Sequence, residues 1–211
     1  KRIETGVLVI ELGPLLYGAF SNCAKIETIV LPTNITAIGE QAFYNCLGLK
    51  SVNVPQSVTS IGDDAFMGTG LTNVVLPQGL VSIGEYAYSQ CTSLTSLYIP
   101  GTVQEIGRDA FNTCLNLTQV TIPKGVTKIM PYTFAYNESV VDVTIHDGVT
   151  AIMAHAFEGC SALTKVNIPK SVEIIDLFAF SGCYGMKELT IAEGVKTIES
   201  GAFEGCKGLK V

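Results

Sequence analysis

The chain has 211 residues, 13 Lys+Arg against 19 Asp+Glu, a formal net charge of -6, and 47% hydrophobic against 15% charged residues. That balance excludes a disordered chain, which combines few apolar residues with high net charge. It also argues against nucleic acid as the main partner, since phosphate binding needs clustered Lys and Arg. No apolar run approaches the ~18 residues of a membrane helix, and no basic stretch followed by an apolar one opens the chain as a secretory leader would.

Residues 1–17 are irregular, and a start at Lys1 is what a trimmed piece would show. From residue 18 onward one pattern takes over. An Ala-aromatic pair occurs at Ala19-Phe20, Ala42-Phe43, Ala65-Phe66, Ala87-Tyr88 and Ala110-Phe111, then at Thr133-Phe134, Ala156-Phe157, Ala179-Phe180 and Ala202-Phe203. Successive pairs are 23 residues apart, except for one step of 22 caused by a missing residue between Phe66 and Leu71. Four residues before each Ala or Thr, from Ile38 to Ile198, stands an isoleucine. Cys23, Cys46, Cys91, Cys114, Cys160, Cys183 and Cys206 share one slot, with Thr69 and Asn137 filling it in the two units that lack Cys.

Each unit divides into the same elements. In residues 117–122, Val120 and Ile122 alternate with polar residues, the signature of a strand with one buried face. Pro123 ends it, and Pro123-Lys124-Gly125 fits a type I turn. A second extended piece, 126–129, leads into a helical or 3₁₀ turn carrying the Ala-aromatic pair. The many in-phase glycines are expected to be turn glycines. Twenty-three residues cannot bury such a face alone, whereas stacked units can, so the chain is expected to be a single solenoid over 1–211. Parallel-strand crossovers predict a right-handed coil.

Leu49-x-x-Val52-x-Val54 and its equivalents resemble the L-x-x-L-x-L core of leucine-rich repeats. The fuller string Ile38-Gly-Glu-Gln-Ala-Phe-Tyr-Asn-Cys46, followed by Leu49 and Val54-Pro55, resembles the BspA-type subclass. The resemblance implies a β-rich repeat solenoid with ~23-residue units, a parallel sheet on one face and short 3₁₀ or helical turns on the other. The asparagine slot of ordinary leucine-rich repeats instead holds Asn34, Ser57, Gly79, Thr102, Gly125, Gly148, Ser171 and Gly194, so an asparagine ladder is missing. The resemblance further implies a surface or secreted protein that adheres to, or binds, a protein ligand such as a host extracellular protein.

Residues that carry chemistry are few. Equivalent cysteines on stacked units point the same way, too far apart at Cβ for disulfides, and a single file cannot surround zinc. They are expected to be buried thiols that donate to a loop carbonyl. His146 and His155 belong to no catalytic motif, so no catalytic residue, metal ligand or cofactor is expected. Sequons occur at Asn34, Asn116 and Asn137. The outward strand residues form a strip from Thr28 and Val30 to Glu188 and Thr190, with Tyr98 its sole aromatic. Within it Asn73, Val75, Ser96, Tyr98 and Thr121 are the expected contact patch, because Tyr is enriched at binding hot spots. A chain ending in a strand phase at Val211, with no capping unit, is expected to continue in a longer polypeptide or to pair end to end with another copy. A rival expectation is a carbohydrate-binding or substrate-targeting appendage of a larger surface enzyme, which needs an aromatic platform.

Overall fold

The computed structural model describes residues 15–210 in full and residues 2–4 and 7–9 by their backbone. Of the irregular opening stretch, residues 1, 5–6 and 10–14 lie outside the described residues, as does Val211. The chain is a coil of stacked units in which each rung contributes one longer and one shorter parallel strand. The longer strands run from Thr28–Val30 through Asn73–Val75 and Gln119–Ile122 to Glu188–Ile191. They pair with equivalent residues in register, as Val120↔Val143 and Val166↔Leu189, with the ladder interrupted between Ser51–Asn53 and Asn73–Val75 and again between Ser96–Tyr98 and Gln119–Ile122. At the start, Arg2–Glu4 runs antiparallel to Val7–Val9, which in turn pairs parallel with Thr28–Val30.

Alternation sets the faces of the long strands. In Gln119–Ile122, Val120 and Ile122 are buried while Gln119 and Thr121 face solvent, as the period-2 pattern predicts. Short strands such as Glu105–Ile106 and Lys128–Ile129 bury their isoleucine and expose the residue before it.

The third side holds the Ala-aromatic turn, and no helix forms among the described residues. Each turn instead contains two left-handed residues, two before and two after the core aromatic. Gln41 (φ 55) and Asn45 (φ 54) flank Phe43, and Tyr132 (φ 57) and Tyr136 (φ 58) flank Phe134. A left-handed residue stops a helix from propagating and turns its N–H along the coil axis. Gln41, Phe43 and Asn45 therefore donate to the carbonyls of Asp63, Ala65 and Met67 in the next unit, each at 2.8 Å. The intervening amides close tight turns within the unit, as Ala42 to Gly39 at 3.2 Å and Tyr44 to Gln41 at 3.1 Å. The expected helical turn is thus replaced by a ladder between units.

Inside the coil the aromatic residues form one column from Phe20 to Phe203. Neighbouring rings are nearly parallel, for example Phe43 and Phe66 at 5.1 Å and 12°, and Phe134 and Phe157 at 5.5 Å and 8°. Tyr88 takes its place in the column fully buried, with no hydrogen-bond partner for its hydroxyl. The cysteine slot behaves as expected. Cys46 Sγ donates to the Phe20 carbonyl at 2.9 Å and Cys160 Sγ to that of Phe134 at 3.3 Å. Asn137 Nδ2 makes the equivalent bond to Phe111 at 3.0 Å. Part of the missing asparagine ladder is supplied by hydroxyls: Ser57 Oγ donates to the Thr33 and Ile35 carbonyls at 2.7 and 2.6 Å.

One group of glycines departs from the turn role expected of it. Gly39, Gly62, Gly84 and Gly107 directly follow the short strands. A Cβ at Gly62 would lie 2.6 Å from the Glu40 backbone nitrogen, and one at Gly107 2.5 Å from that of Glu85. They are required by close approach between rungs. The next residue in the column is Met130, and there the short-strand sheet divides into two, between Glu105–Ile106 and Lys128–Ile129.

The column predicts two opposite outcomes. Phe157→Ala opens a cavity shared with Phe134 and Phe180 and should cost ~3–5 kcal/mol. Tyr88→Phe removes an unpaired buried hydroxyl and should gain about 1 kcal/mol. Urea unfolding of both variants checks the pair.

Candidate functional site

The long strands share an outward-facing side, and all five residues of the expected patch stand on it. Asn73↔Ser96 and Val75↔Tyr98 are in-register partners, with Val74 and Leu97 between them turned inward. Val75 is 71% exposed and Tyr98 62%, while Thr121 stands exposed in the next long strand. The residue before the strand fixes the rungs: Thr95 Oγ1 donates to the Thr72 carbonyl at 3.0 Å and Thr164 Oγ1 to that of Val141 at 3.1 Å. An apolar and an aromatic side chain are thereby held side by side on a rigid, neutral sheet. Charge enters only farther along, where Asp142, Lys165 and Glu188 align and Lys165 Nζ pairs with Glu188 at 3.2 Å.

The turn side carries a group that composition did not reveal. His155 lies between Tyr132, at 4.5 Å and 4°, and Phe178, at 5.2 Å and 19°. Its Nδ1 meets Glu158 Oε2 at 2.8 Å. Arg108 covers the far side of Tyr132 at 6.0 Å, and Phe178 lies so close over Gly201 that a Cβ there would reach its ring at 2.3 Å. Every ring face in this row is covered, and the imidazole is engaged on one nitrogen. The signal was available: Tyr86, Tyr132, His155 and Phe178 all stand two residues before the core aromatic.

No group of three or more His, Cys, Asp or Glu suited to a metal ion occurs among the described residues. All seven cysteines are free thiols. Burial pushes the thiols of Cys46 and Cys91 up to about 11 and that of Cys160 up to about 12. They are poor nucleophiles at neutral pH because the thiolate is the reactive form. Of the sequons, Asn137 is fully buried with its amide bonded to two carbonyls, which leaves no room for a glycan in the folded chain.

The comparisons agree with this geometry. A family model described as "BspA type Leucine rich repeat region (6 copies)" matches residues 16–141 and 127–211. The chain is similar to a leucine-rich repeat protein of T. pallidum, with 25% identity over 85% of this chain and 77% of that one, at a TM-score of 0.68. A leucine-rich repeat protein from Bacteroides ovatus is similar at 22% identity over 99% and 75% of the two chains, TM-score 0.62. One from Eubacterium ventriosum is similar at 24% identity over 97% and 72%, TM-score 0.52. No curated protein matches the sequence.

The buried thiols give a pH dependence with a definite sign. Their folded values lie above the ordinary thiol value of 9.0, so the folded state holds its protons longer than the unfolded chain does. Their contribution is fully present below pH 9 and is lost as pH rises toward 11–12. Melting temperature should therefore fall above pH 9. A Cys91→Thr/Cys160→Thr variant, using the residue already accepted at Thr69, should lose less of it over the same range.

Proposed function

Because the chain belongs to the BspA-type leucine-rich repeat family, we propose that it is a non-enzymatic binding module, displayed at a cell surface or secreted, that holds an extracellular protein on its long sheet. The observation that carries this reading is the Val75–Tyr98 pair, an apolar and an aromatic side chain both largely exposed on adjacent rungs with no intramolecular use. Tyr supplies a large contact area at small entropic cost and is enriched among interface hot spots. Asn73, Ser96 and Thr121 surround the pair with short polar side chains able to form a rim. A rigid sheet presented by a solenoid loses little entropy on binding, which favours affinity gathered over several rungs.

The sugar-binding alternative calls for a free aromatic face. In the row of Tyr132, His155 and Phe178 each ring face is occupied, and on the long sheet Tyr98 stands without a second ring beside it. Protein contact fits the surface better.

The test is recovery of host extracellular proteins on the immobilised chain, followed by titration of the recovered partner against variants. Tyr98→Ala should weaken binding roughly fivefold, about 1 kcal/mol, with no single substitution along the strip abolishing it. A Val75→Lys/Tyr98→Lys/Thr121→Lys variant should lose binding altogether while melting normally. Full binding by that triple variant would contradict the proposal.

A further inference from the structure

A recess of about 720 Å³ lies on a different side of the coil, outside the short strands. Its floor is the glycine column Gly39, Gly62, Gly84 and Gly107, interleaved with the outward residues Ser60 and Ser82. These glycines are forced by the rung-to-rung approach and add no side chain of their own to the floor. The column equivalent has a side chain at either end. Leu16 stands one unit before Gly39 and is 65% exposed, and Met130 one unit after Gly107 and is 37% exposed. The result is a trough four rungs long, about 14 Å between its outer glycines at ~4.8 Å per rung. That length accommodates about four residues of extended chain, at ~3.3 Å each.

Charge on the walls is one-sided. Glu40, Asp63, Glu85 and Glu105 line the trough against a single ammonium, Lys128, at the Met130 end. Arg108 continues the Glu40–Asp63–Glu85 column but is held by Asp109 at 3.2 Å. Asp63 is fixed over Gly84 by the Glu85 amide, which donates to Oδ1 at 2.8 Å. Carboxylates one rung apart recur more closely than same-side residues of an extended strand, which repeat every ~6.6 Å. Each cation on such a strand would meet at least one carboxylate without a fixed register. The four acids do not converge on a point as metal ligands would, so a linear cation fits and a metal ion does not.

We propose that this trough binds a short extended segment of a protein partner rich in Lys or Arg, its backbone lying over the glycine column and its cations on the carboxylate wall. The site is separate from the long-strand sheet and stands or falls independently of the function proposed for that face.

The probe is a fluorescein-labelled, end-capped octapeptide alternating Lys and Thr, titrated against the full chain by fluorescence anisotropy, with a Glu-Thr octapeptide as its counterpart. Saturable binding of the Lys-Thr peptide alone is expected. Glu40→Gln/Glu85→Gln should weaken it about tenfold, the sum of two exposed ion pairs. Ser82→Arg should abolish it by filling the trough, at a column position where Glu105 and Lys128 already stand. Tyr98→Ala and the remote pair Glu188→Gln/Glu193→Gln should leave it unchanged. Equal binding of the Glu-Thr peptide, unaltered binding to both trough variants, equal weakening by the remote pair, displacement by a neutral oligosaccharide, or no binding of the Lys-Thr peptide would each overturn the proposal.

Discussion

Every part of this fold depends on hydrogen bonding between residues one unit apart along the chain. On the turn side the amide of Phe43 reaches forward to Ala65 at 2.8 Å, and on the strand sides the amides of Lys50 and Gly62 reach back to Glu27 and Ile38 at 2.8 and 2.9 Å. A unit on its own would leave these groups unpaired, at the cost of a lost hydrogen bond for each one buried. Stability is therefore a property of neighbouring pairs. The same logic explains what each slot tolerates. Cys and Asn interchange because each donates to the carbonyl 26 residues earlier, as Cys160 does to Phe134 and Asn137 to Phe111, while the Thr69 hydroxyl shares a 3.2 Å hydrogen bond with the Cys91 thiol of the next unit. Thr133 replaces Ala because its hydroxyl returns to Met130 at 2.8 Å.

Departures from the repeat are where the surface acquires individuality. The change from Gly107 to Met130 adds a side chain just before Pro131, which restricts Met130 to extended conformations. The short-strand sheet divides at that step, and the trough ends there. The residue missing between Phe66 and Leu71 leaves a recess beside Leu47 and Thr92. On the long sheet the departure is chemical: Val75 and Tyr98 stand in a strip otherwise made largely of short polar residues.

Much of this was legible in the sequence. The phase of Phe43, Phe66 and Phe111 predicted a stacked column, the alternation around Val120 predicted which strand residues face outward, and the Cys, Thr and Asn exchange predicted a donor slot. The turn was misjudged because its left-handed positions are held by Gln41, Tyr86, Tyr132, His155 and Phe178, residues that rarely adopt that conformation. Only the bonds to the next unit make it worthwhile, and these involve the backbone, on which sequence is silent. The glycine column was visible as letters, but close approach and turn conformation both demand glycine. Rung spacing, not composition, separates the two.

The most direct test is the distance between exposed positions whole numbers of rungs apart. Pulsed electron resonance with labels introduced as unnatural amino acids would measure Lys50 to Val141, four rungs, and Lys50 to Lys187, six rungs. At ~4.8 Å per rung a stacked coil gives about 19 and about 29 Å, each with a narrow distribution. Distances that fail to grow with the number of rungs, or broad overlapping distributions, would contradict it.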